Sequence, residues 1–206
     1  MSNLLVINSS AAGQASVSRG LVGALVSQIA AQDPAVTVTE RDLGASPVPH
    51  LNGDTLAGFG QPETPAQIAS RELSDALVAE VFAADTLVIG APMYNFGITS
   101  TLKSWFDHIL RAGVTFNYTE TGPVGLLSGR KVIVVLSRGG IYGEGAAQVM
   151  DAQEPHLRAM LGFVGLTDVT FVRAEGLSMG PDPRAAGIAK AEAHVVSLSP
   201  VFAKAA

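Results

Sequence analysis

The chain has 206 residues, of which 48% are hydrophobic and only 15% are charged, with a net charge of −5 and a pI near 5.3. This acidic balance argues against a nucleic-acid partner, since nucleic-acid binding needs clustered lysine and arginine. The sequence has no cysteine, which excludes disulfides, thiolate nucleophiles and cysteine-ligated zinc or iron–sulfur centres.

Length and hydropathy predict one domain spanning residues 1–206, with no membrane partner and a cytoplasmic location. No apolar run approaches the roughly 18 residues of a spanning helix, and no charged segment precedes an apolar stretch at the N-terminus. Ordinary soluble domains carry roughly 25% charged residues. The shortage of charge therefore indicates that part of the surface is hidden in a subunit interface.

The first half of the chain is predicted to alternate strands and helices. Short apolar runs predict strands at residues 4–7 and 86–90, and alternating β-branched residues predict another at 36–39. Helical spacing of apolar residues predicts one helix from Ser18 to a point before Pro34 and another over residues 66–83. Between them, residues 43–65 are rich in glycine and proline, so we expect an ordered excursion with little regular structure.

The second half continues the alternation. A helix from Thr101 has one apolar face, strands are predicted at 131–136 and 169–173, and the excursion at 114–129 contains the turn pair Gly122-Pro123, which favours a hairpin. A helix is expected over much of 146–161, broken at Pro155 unless that proline begins a new helix. Asp182-Pro183 is interpreted as the N-cap and first turn of a last helix reaching about Leu198.

This alternation predicts an α/β fold with a parallel sheet and helices on both faces. Five strands favour a flavodoxin-like three-layer sandwich, with sheet order 2-1-3-4-5, over the six-stranded dinucleotide fold. In such sheets, ligands bind at the carboxyl ends of the strands.

The loop after the first strand, residues 9–18, offers hydroxyls and free backbone N–H groups at the start of a helix. Those groups form an anion site, and the absence of lysine and arginine before Arg19 suits a phosphate monoester. The alternative is an ordinary serine-rich cap. No GxxxxGK[ST] motif is present, which argues against ATP or GTP.

Two further loops follow the third and fourth strands. Residues 92–97 combine the apolar Met93, Tyr94 and Phe96 with the amide of Asn95, and we expect Gly97 to permit an unusual turn. Residues 137–140 end in two glycines, which allow a planar ligand to approach the backbone closely. Taken singly, these loops could be a hydrophobic plug and a tight turn. Their convergence with the first loop at one rim favours a flavin site.

Several motifs occur together in this chain and extend nearly from end to end. They are Ser16-Val17-Ser18, Pro92-Met93-Tyr94-Asn95-Phe96-Gly97-Ile98, Ser100-Thr101-Leu102-Lys103-Ser104-Trp105, Arg111-Ala112-Gly113-Val114-Thr115-Phe116, Gly122-Pro123, Arg138-Gly139-Gly140, Leu161-Gly162-Phe163-Val164-Gly165 and Ala174-Glu175-Gly176. The chain resembles the FMN-dependent NADH-azoreductase family, also called FMN-dependent NADH:quinone oxidoreductases. Thr99 stands where many relatives have proline, and Tyr142 where some have histidine, which leaves the substrate preference open.

The resemblance implies a flavoenzyme that carries two electrons from NADH or NADPH to a quinone or azo compound by a ping-pong mechanism, in a homodimer with active sites at the interface. The FMN phosphate is expected on Ser10, Ser16, Val17 and Ser18. The FMN ring is expected against Met93, Tyr94, Asn95, Phe96, Ser137, Arg138, Gly139 and Gly140.

The resemblance also offers Phe116, Tyr118, Tyr142 and Phe163 as candidates for the substrate slot, although each aromatic side chain is as readily explained by the core or a dimer contact. No side chain is assigned as a catalytic acid or base, because the cofactor carries the chemistry and protons can come from water. No motif for a 2′-phosphate separates NADH from NADPH, and the physiological acceptor is not specified by the sequence.

Two other functions compete with this one. One is a non-catalytic flavodoxin-like electron carrier. The other is a serine esterase, because residues 176–180 match G-x-S-x-G around Ser178, with Asp182 and His194 following in hydrolase order. The intervening prolines and the lack of a later strand oppose the esterase.

A metal site is not expected, because the histidines are scattered along the chain and none belongs to an H-x-x-x-H pair. The pair Asp107-His108 falls on a predicted helix and is interpreted as a solvated or interface pair.

Overall fold

The computed structural model describes residues 2–198. In chain order the elements are β1 (Asn3–Asn8), α1 (Val17–Gln32), β2 (Thr37–Asp42), α2 (Gly53–Gly58), α3 (Pro65–Ala83), β3 (Thr86–Pro92), α4 (Ser100–Ile109), β4 (Phe116–Thr119), β5 (Gly122–Gly125), β6 (Lys131–Ser137), α5 (Glu154–Phe163), β7 (Asp168–Ala174) and α6 (Pro181–Ser197). Short 3₁₀ turns cover Gly13–Ala15 and Ala146–Met150. Within this part of the chain, no helix has both the length and the apolar character needed to cross a membrane.

The main sheet is parallel and has the order β2-β1-β3-β6-β7. Counted within this sheet alone, the order is 2-1-3-4-5, which confirms the predicted flavodoxin-like topology. The chain order reverses direction between β1 and β3, so the loops after these strands diverge and leave a crevice between them.

Helices cover both faces of the sheet, which explains why its central strands do not alternate apolar and polar residues. In β1, Leu5 and Ile7 pack on the side of α3, α4 and α5, whereas Leu4 and Val6 pack on the side of α1 and α6. All four side chains are buried.

Helix α4 confirms its predicted apolar stripe. Leu102, Trp105, Phe106 and Ile109 are fully buried against the sheet. Thr99 caps the helix, since its hydroxyl accepts a hydrogen bond from the Leu102 N–H at 3.1 Å. This packing fixes the start of α4, and with it the loop that connects β3 to α4.

The prediction for residues 43–65 was wrong in one respect, because this segment contains α2. Asn52 caps that helix by accepting the Thr55 N–H at 2.9 Å. At the other end, Arg71 Nη1 donates to the carbonyls of Gly58 and Phe59 at 3.2 Å each. The glycine content of the segment hid a short helix whose ends are satisfied by side chains.

Of two predicted helix starts, one agrees with an alternative that the sequence left open and one differs from expectation. Pro155 lies in the first turn of α5, so it begins a new helix, which is the second of the two predicted alternatives. Helix α6 begins at Pro181 after Gly180, so Asp182 lies in the first turn and is not the N-cap. A carboxylate there favours the helix by facing the positive end of its dipole.

The interpretation of Asp107-His108 as a solvated pair was wrong for the histidine. His108 is buried, with its ring edge against Phe59 at a centroid distance of 6.1 Å. Burial lowers the pKa of His108 below its ordinary value, despite the opposing effect of Asp107. Asp107 instead pairs with Lys103 one turn earlier on α4.

The predicted excursion at 114–129 contains a hairpin, as expected. Strands β4 and β5 pair antiparallel, with Phe116 opposite Gly125. The Phe116 ring packs on Phe163 at 4.5 Å and on Tyr118 at 5.4 Å. The hairpin is thereby attached to the end of α5.

Candidate functional site

A cleft of about 330 Å³ opens where β1, β3, β6 and β7 end. Eight of the predicted cofactor residues line it: Ser10, Ser16, Val17, Met93, Tyr94, Ser137, Arg138 and Gly139. Ser18, Asn95, Phe96 and Gly140 do not line it, but each lies within two residues of one that does. The three predicted loops therefore converge on one rim.

The first loop presents an anion site at the start of α1. Ser16 is the N-cap, and its hydroxyl accepts from the Arg19 N–H at 3.3 Å and lies 3.1 Å from the Ser18 hydroxyl. Within residues 2–198, the N–H groups of Val17 and Ser18 have no hydrogen-bond acceptor. These groups and the helix dipole suit a phosphate.

The second loop contains a strained turn. Tyr94 and Gly97 exchange backbone hydrogen bonds of 3.0 and 3.1 Å around Asn95 and Phe96, whose φ angles are 49° and 70°. Two central residues with positive φ are typical of a type I′ turn. The expected unusual turn is therefore present, but Asn95 and Phe96, not Gly97, take the positive φ angles. Strain of this kind costs about 1–3 kcal/mol per residue, and a bulky residue such as Phe96 is a clear outlier.

Contacts with its neighbours hold the strained loop. Ala152 N–H donates to the Phe96 carbonyl at 3.1 Å, and Met93 N–H donates to the Ser137 carbonyl at 2.8 Å. The Tyr94 hydroxyl accepts from the Ala11 N–H at 3.2 Å, and so links the second loop to the first. Tyr94 thus crosses one end of the cleft with its ring still 40% exposed.

The third loop offers two backbone donors. The N–H groups of Gly139 and Gly140 have no acceptor in the part of the chain that the structure describes. The side chain of Arg138 is fully buried beneath this loop and faces away from solvent. Any contact of Arg138 with a ligand in the cleft must therefore come from its backbone.

A fourth loop, between β7 and α6, was missed by the sequence analysis. Leu177 and Ser178 of this loop line the cleft, together with Arg184 near the start of α6. The loop is attached to the third one, since Ser178 N–H donates to the Gly139 carbonyl at 2.9 Å. The sequence did indicate this loop, because it follows β7, which ends at the same rim as the other parallel strands.

The esterase arrangement is not formed. Asp182 and His194 lie on the same helix, twelve residues or about 18 Å apart, so they cannot pair. Ser178 does not have the positive φ of a strained nucleophile turn. One argument made from sequence was nevertheless wrong, since α6 begins directly at Pro181 and no proline segment separates it from the loop.

The candidate substrate residues fall into two groups. Phe116, Tyr118 and Phe163 cluster around the hairpin, whereas Tyr142 packs edge-on against Phe96 at 6.0 Å. None of the four lines the cleft of this single chain.

Among residues 2–198, no three histidine or acidic side chains are grouped as metal ligands. The donors that do converge are hydroxyls, backbone N–H groups and flat apolar side chains. They fit the phosphate, the polar ring edge and the ring faces of FMN.

Comparison with known proteins gives consistent matches over the whole chain. A family model described as flavodoxin-like fold matches residues 2–198. An FMN-dependent NADH:quinone oxidoreductase from Hyphomonas neptunium is 54% identical over 100% of both chains. One with the same name from Herminiimonas arsenicoxydans is 48% identical over 97% of this chain and 100% of its own length.

Solved structures agree. An FMN-dependent NADH-azoreductase from Bacillus anthracis, in complex with FMN, has a TM-score of 0.90 and 28% identity, covering 99% of this chain and 100% of its own. Another azoreductase from Bacillus anthracis has a TM-score of 0.88 and 29% identity over 100% of both chains.

Proposed function

The chain belongs to the FMN-dependent NADH:quinone oxidoreductase family, which has a flavodoxin-like fold, and on that premise we propose that it reduces quinones and aromatic azo compounds. NADH is the electron donor and FMN the bound cofactor. When bound, FMN supplies the two-electron redox chemistry. The observation that supports this function most strongly is the convergence of an anion site, apolar side chains and free backbone donors in one cleft.

In this proposal, residues 1–206 form one FMN-binding domain. The first loop holds the phosphate through Ser10, Ser16, Val17 and Ser18. The remaining proposed contacts position the ring: Met93, Tyr94, Asn95, Phe96, Ser137, Arg138, Gly139 and Gly140. The Arg138 contribution is made through its backbone, because its guanidinium is buried below the loop.

The protein's part in the reaction is binding and orientation. Met93 and Tyr94 supply apolar surface, and the N–H groups of Gly139 and Gly140 supply hydrogen bonds whose donors are already fixed before a ligand arrives. Such preorganised donors need no rearrangement when the charge on the ligand changes. No side chain in the cleft is needed as an acid or base, since water reaches the open end.

An electron carrier of the same fold is the alternative. The deciding experiment is an anaerobic titration of the purified yellow protein with NADH, followed by addition of a small quinone. We expect NADH to bleach the flavin absorbance and the quinone to restore it over many turnovers. Slow NADH oxidation by fully FMN-loaded protein would indicate a carrier, and failure to take up FMN would refute both functions.

Ser18→Ala tests the anion site. The change removes a buried hydroxyl at the start of α1, and a hydrogen bond to a charged group contributes about 1.5–3 kcal/mol. We expect FMN affinity to fall roughly 10- to 100-fold, while the affinity for riboflavin, which lacks the phosphate, is unchanged. Fluorescence titration with both flavins measures the difference.

Ser27→Ala is the matched control, because it removes an exposed hydroxyl from the same helix, nine residues further on. It should leave both affinities unchanged. Equal losses of FMN and riboflavin affinity in Ser18→Ala would contradict a phosphate site at this position.

We also propose a homodimer with the active sites at its interface. Large apolar side chains beside the cleft are exposed in the single chain: Phe96 at 41%, Ile141 at 42%, Val149 at 91% and Met150 at 45%. Large apolar side chains that are left exposed in one region of a chain support an interaction site there. The low charge of the whole chain supports the same conclusion.

Val149→Asp tests the dimer. A charge introduced into an apolar interface is unpaired and desolvated, so we expect the dimer dissociation constant to rise at least 100-fold in sedimentation equilibrium, a cost of about 3 kcal/mol. Val196→Asp is the control, since Val196 is exposed near the far end of α6. If both variants remain equally dimeric, the interface lies elsewhere.

A cytoplasmic location, where NADH is regenerated, belongs to the same proposal. The absence of cysteine from the sequence is consistent with this location, because a protein without disulfides needs no oxidising compartment. Cell fractionation followed by immunoblotting checks it.

A further inference from the structure

We propose that the buried guanidinium of Arg138 is a positioning group that, through Gln153 and Glu175, holds both Phe96 and Tyr142 in place and thereby sets the affinity and redox potential of bound FMN. The inference rests on the proposed function, because FMN is the probe that reports it. It concerns side chains that lie behind the cleft and do not touch its contents.

Arg138 is the centre of a buried polar network. Its Nε donates to Gln153 Oε1 at 2.9 Å, its Nη1 donates to Glu175 Oε1 at 3.2 Å, and its Nη2 lies 2.9 Å from Asp151 Oδ2. The side chain is fully buried. A buried charge is tolerated only when it is paired and hydrogen-bonded, and the fork of a guanidinium can serve three partners in fixed directions. Lysine has the charge but not this geometry.

One branch of the network reaches the strained turn. Asp151 Oδ1 accepts the N–H groups of Gln153 at 2.9 Å and Glu154 at 3.0 Å, which fixes the start of α5. Gln153 Nε2 donates to the Ala91 carbonyl at 2.9 Å, at the end of β3. Ala152, which stands between Asp151 and Gln153 in the chain, donates its N–H to the Phe96 carbonyl. Arg138 therefore fixes the segment that keeps Phe96 at positive φ.

The other branch reaches the loop after β6. Glu175 Oε1 accepts the N–H groups of Tyr142 at 2.8 Å and Gly143 at 2.9 Å. A Cβ on Gly143 would lie only 2.9 Å from Glu175 Oε2, so the loop is closely fitted to this carboxylate. Because the Tyr142 ring packs on Phe96, the two branches meet at this aromatic pair.

Glu154 adds a carboxylate at the outer edge of the network. Burial alone would raise the pKa of Glu154, but hydrogen bonds from Arg173 and Arg158 outweigh burial and hold that pKa below its ordinary value. Glu154 lies 3.7 Å from Arg138 Nη2. A charged carboxylate therefore remains near the guanidinium at neutral pH.

The strain gives the network a functional consequence. A turn with positive φ at Asn95 and Phe96 persists only where its surroundings hold it. When the Arg138 fork is lost, the turn can relax, and the orientation of Phe96, Tyr142 and the Gly139 and Gly140 donors changes with it. Because reduction alters the charge on the flavin ring, a shift of these N–H donors changes the affinities for oxidised and reduced FMN by different amounts.

The experiment compares Arg138→Lys and Arg138→Met with the control Arg158→Met. Arg158 also pairs with Glu154, but its side chain is 54% exposed. We measure the FMN dissociation constant, the two-electron potential and the visible circular dichroism of bound FMN. We expect both Arg138 variants to bind oxidised FMN at least tenfold more weakly and reduced FMN a further tenfold more weakly, which lowers the potential by about 30 mV. Arg158→Met should change each affinity less than twofold.

Folded Arg138→Lys protein with the potential and dichroism of the wild type would overturn the inference, even if its unfolding temperature were lower. If neither Arg138 variant folds, the same measurements are made on Gln153→Met and Glu175→Gln, each of which interrupts one branch of the network. Wild-type potential and dichroism in both would overturn the inference. Wild-type protein that fails to take up FMN refutes the proposed function and this inference together, whereas normal FMN uptake with unshifted variants refutes the inference alone.

Discussion

Gly187→Ala is expected to destabilise the protein by about 3 kcal/mol or more, because the added methyl has no room. Gly187 lies in α6, and a Cβ at this position would be 2.0 Å from the carbonyl oxygen of Glu175. That oxygen belongs to the backbone that follows β7, so it cannot move without separating the helix from the sheet. Urea unfolding at neutral pH measures the loss.

The matched control is Gly23→Ala in the middle of α1. A Cβ there meets nothing within 4 Å, so the substitution only removes the flexibility of glycine from a helix. We expect a gain of about 0.5–1 kcal/mol. Both changes replace a glycine by alanine within a helix. Opposite changes in the free energy of unfolding would therefore show that close contact, and not helix propensity, determines the effect. A loss below 1 kcal/mol in Gly187→Ala would contradict the tight packing of α6.

The second large effect is expected for Gly139→Val, which should abolish FMN uptake while the fold remains intact. Gly139 lines the cleft, and a Cβ on it would lie 3.0 Å from the Ser178 hydroxyl and 3.4 Å from Ser178 Cβ. A branched side chain there fills the space in which a planar ring must approach the backbone donors. We expect FMN affinity to fall more than 100-fold, or about 3 kcal/mol.

Absorbance of the purified variant and titration with FMN measure this loss, and far-ultraviolet circular dichroism checks the fold. Gly23→Val introduces the same side chain on an exposed part of α1, outside the cleft. It should keep its FMN. Retention of a normal flavin spectrum by Gly139→Val would show that the ring does not lie against the third loop.

The topology could be predicted because it follows from local pattern. After their first residues, Thr86 and Lys131, the runs 86–90 and 131–136 are apolar, as strands covered on both faces must be, and Leu102, Trp105, Phe106 and Ile109 recur at helical spacing. Three loops of the cleft could be located for the same reason, since each follows such a strand and parallel strands end at one rim.

Other features depended on contacts between distant segments. Helix α2 was missed because it is short and its last carbonyls are bound by Arg71 from the next helix. Ser178 was missed as a cleft residue because its loop follows an edge strand that the sequence did not mark as special, and Arg184 because it lies in the helix after that loop. His108 gave no sign of its burial, since Phe59 covers it from a segment far away in the chain.

The sequence by itself determined the order of strands and helices, the parallel sheet and the rim at which the loops of the cleft meet, because these depend on hydrophobic periodicity and on residue types within each loop. Only the tertiary structure decided that Asn95 and Phe96, not Gly97, take positive φ, and that Arg138 points inward to hold the loops around it. The physical reason is that strain and buried charge persist only where several remote segments supply partners at once, and a linear pattern does not record which segments those are.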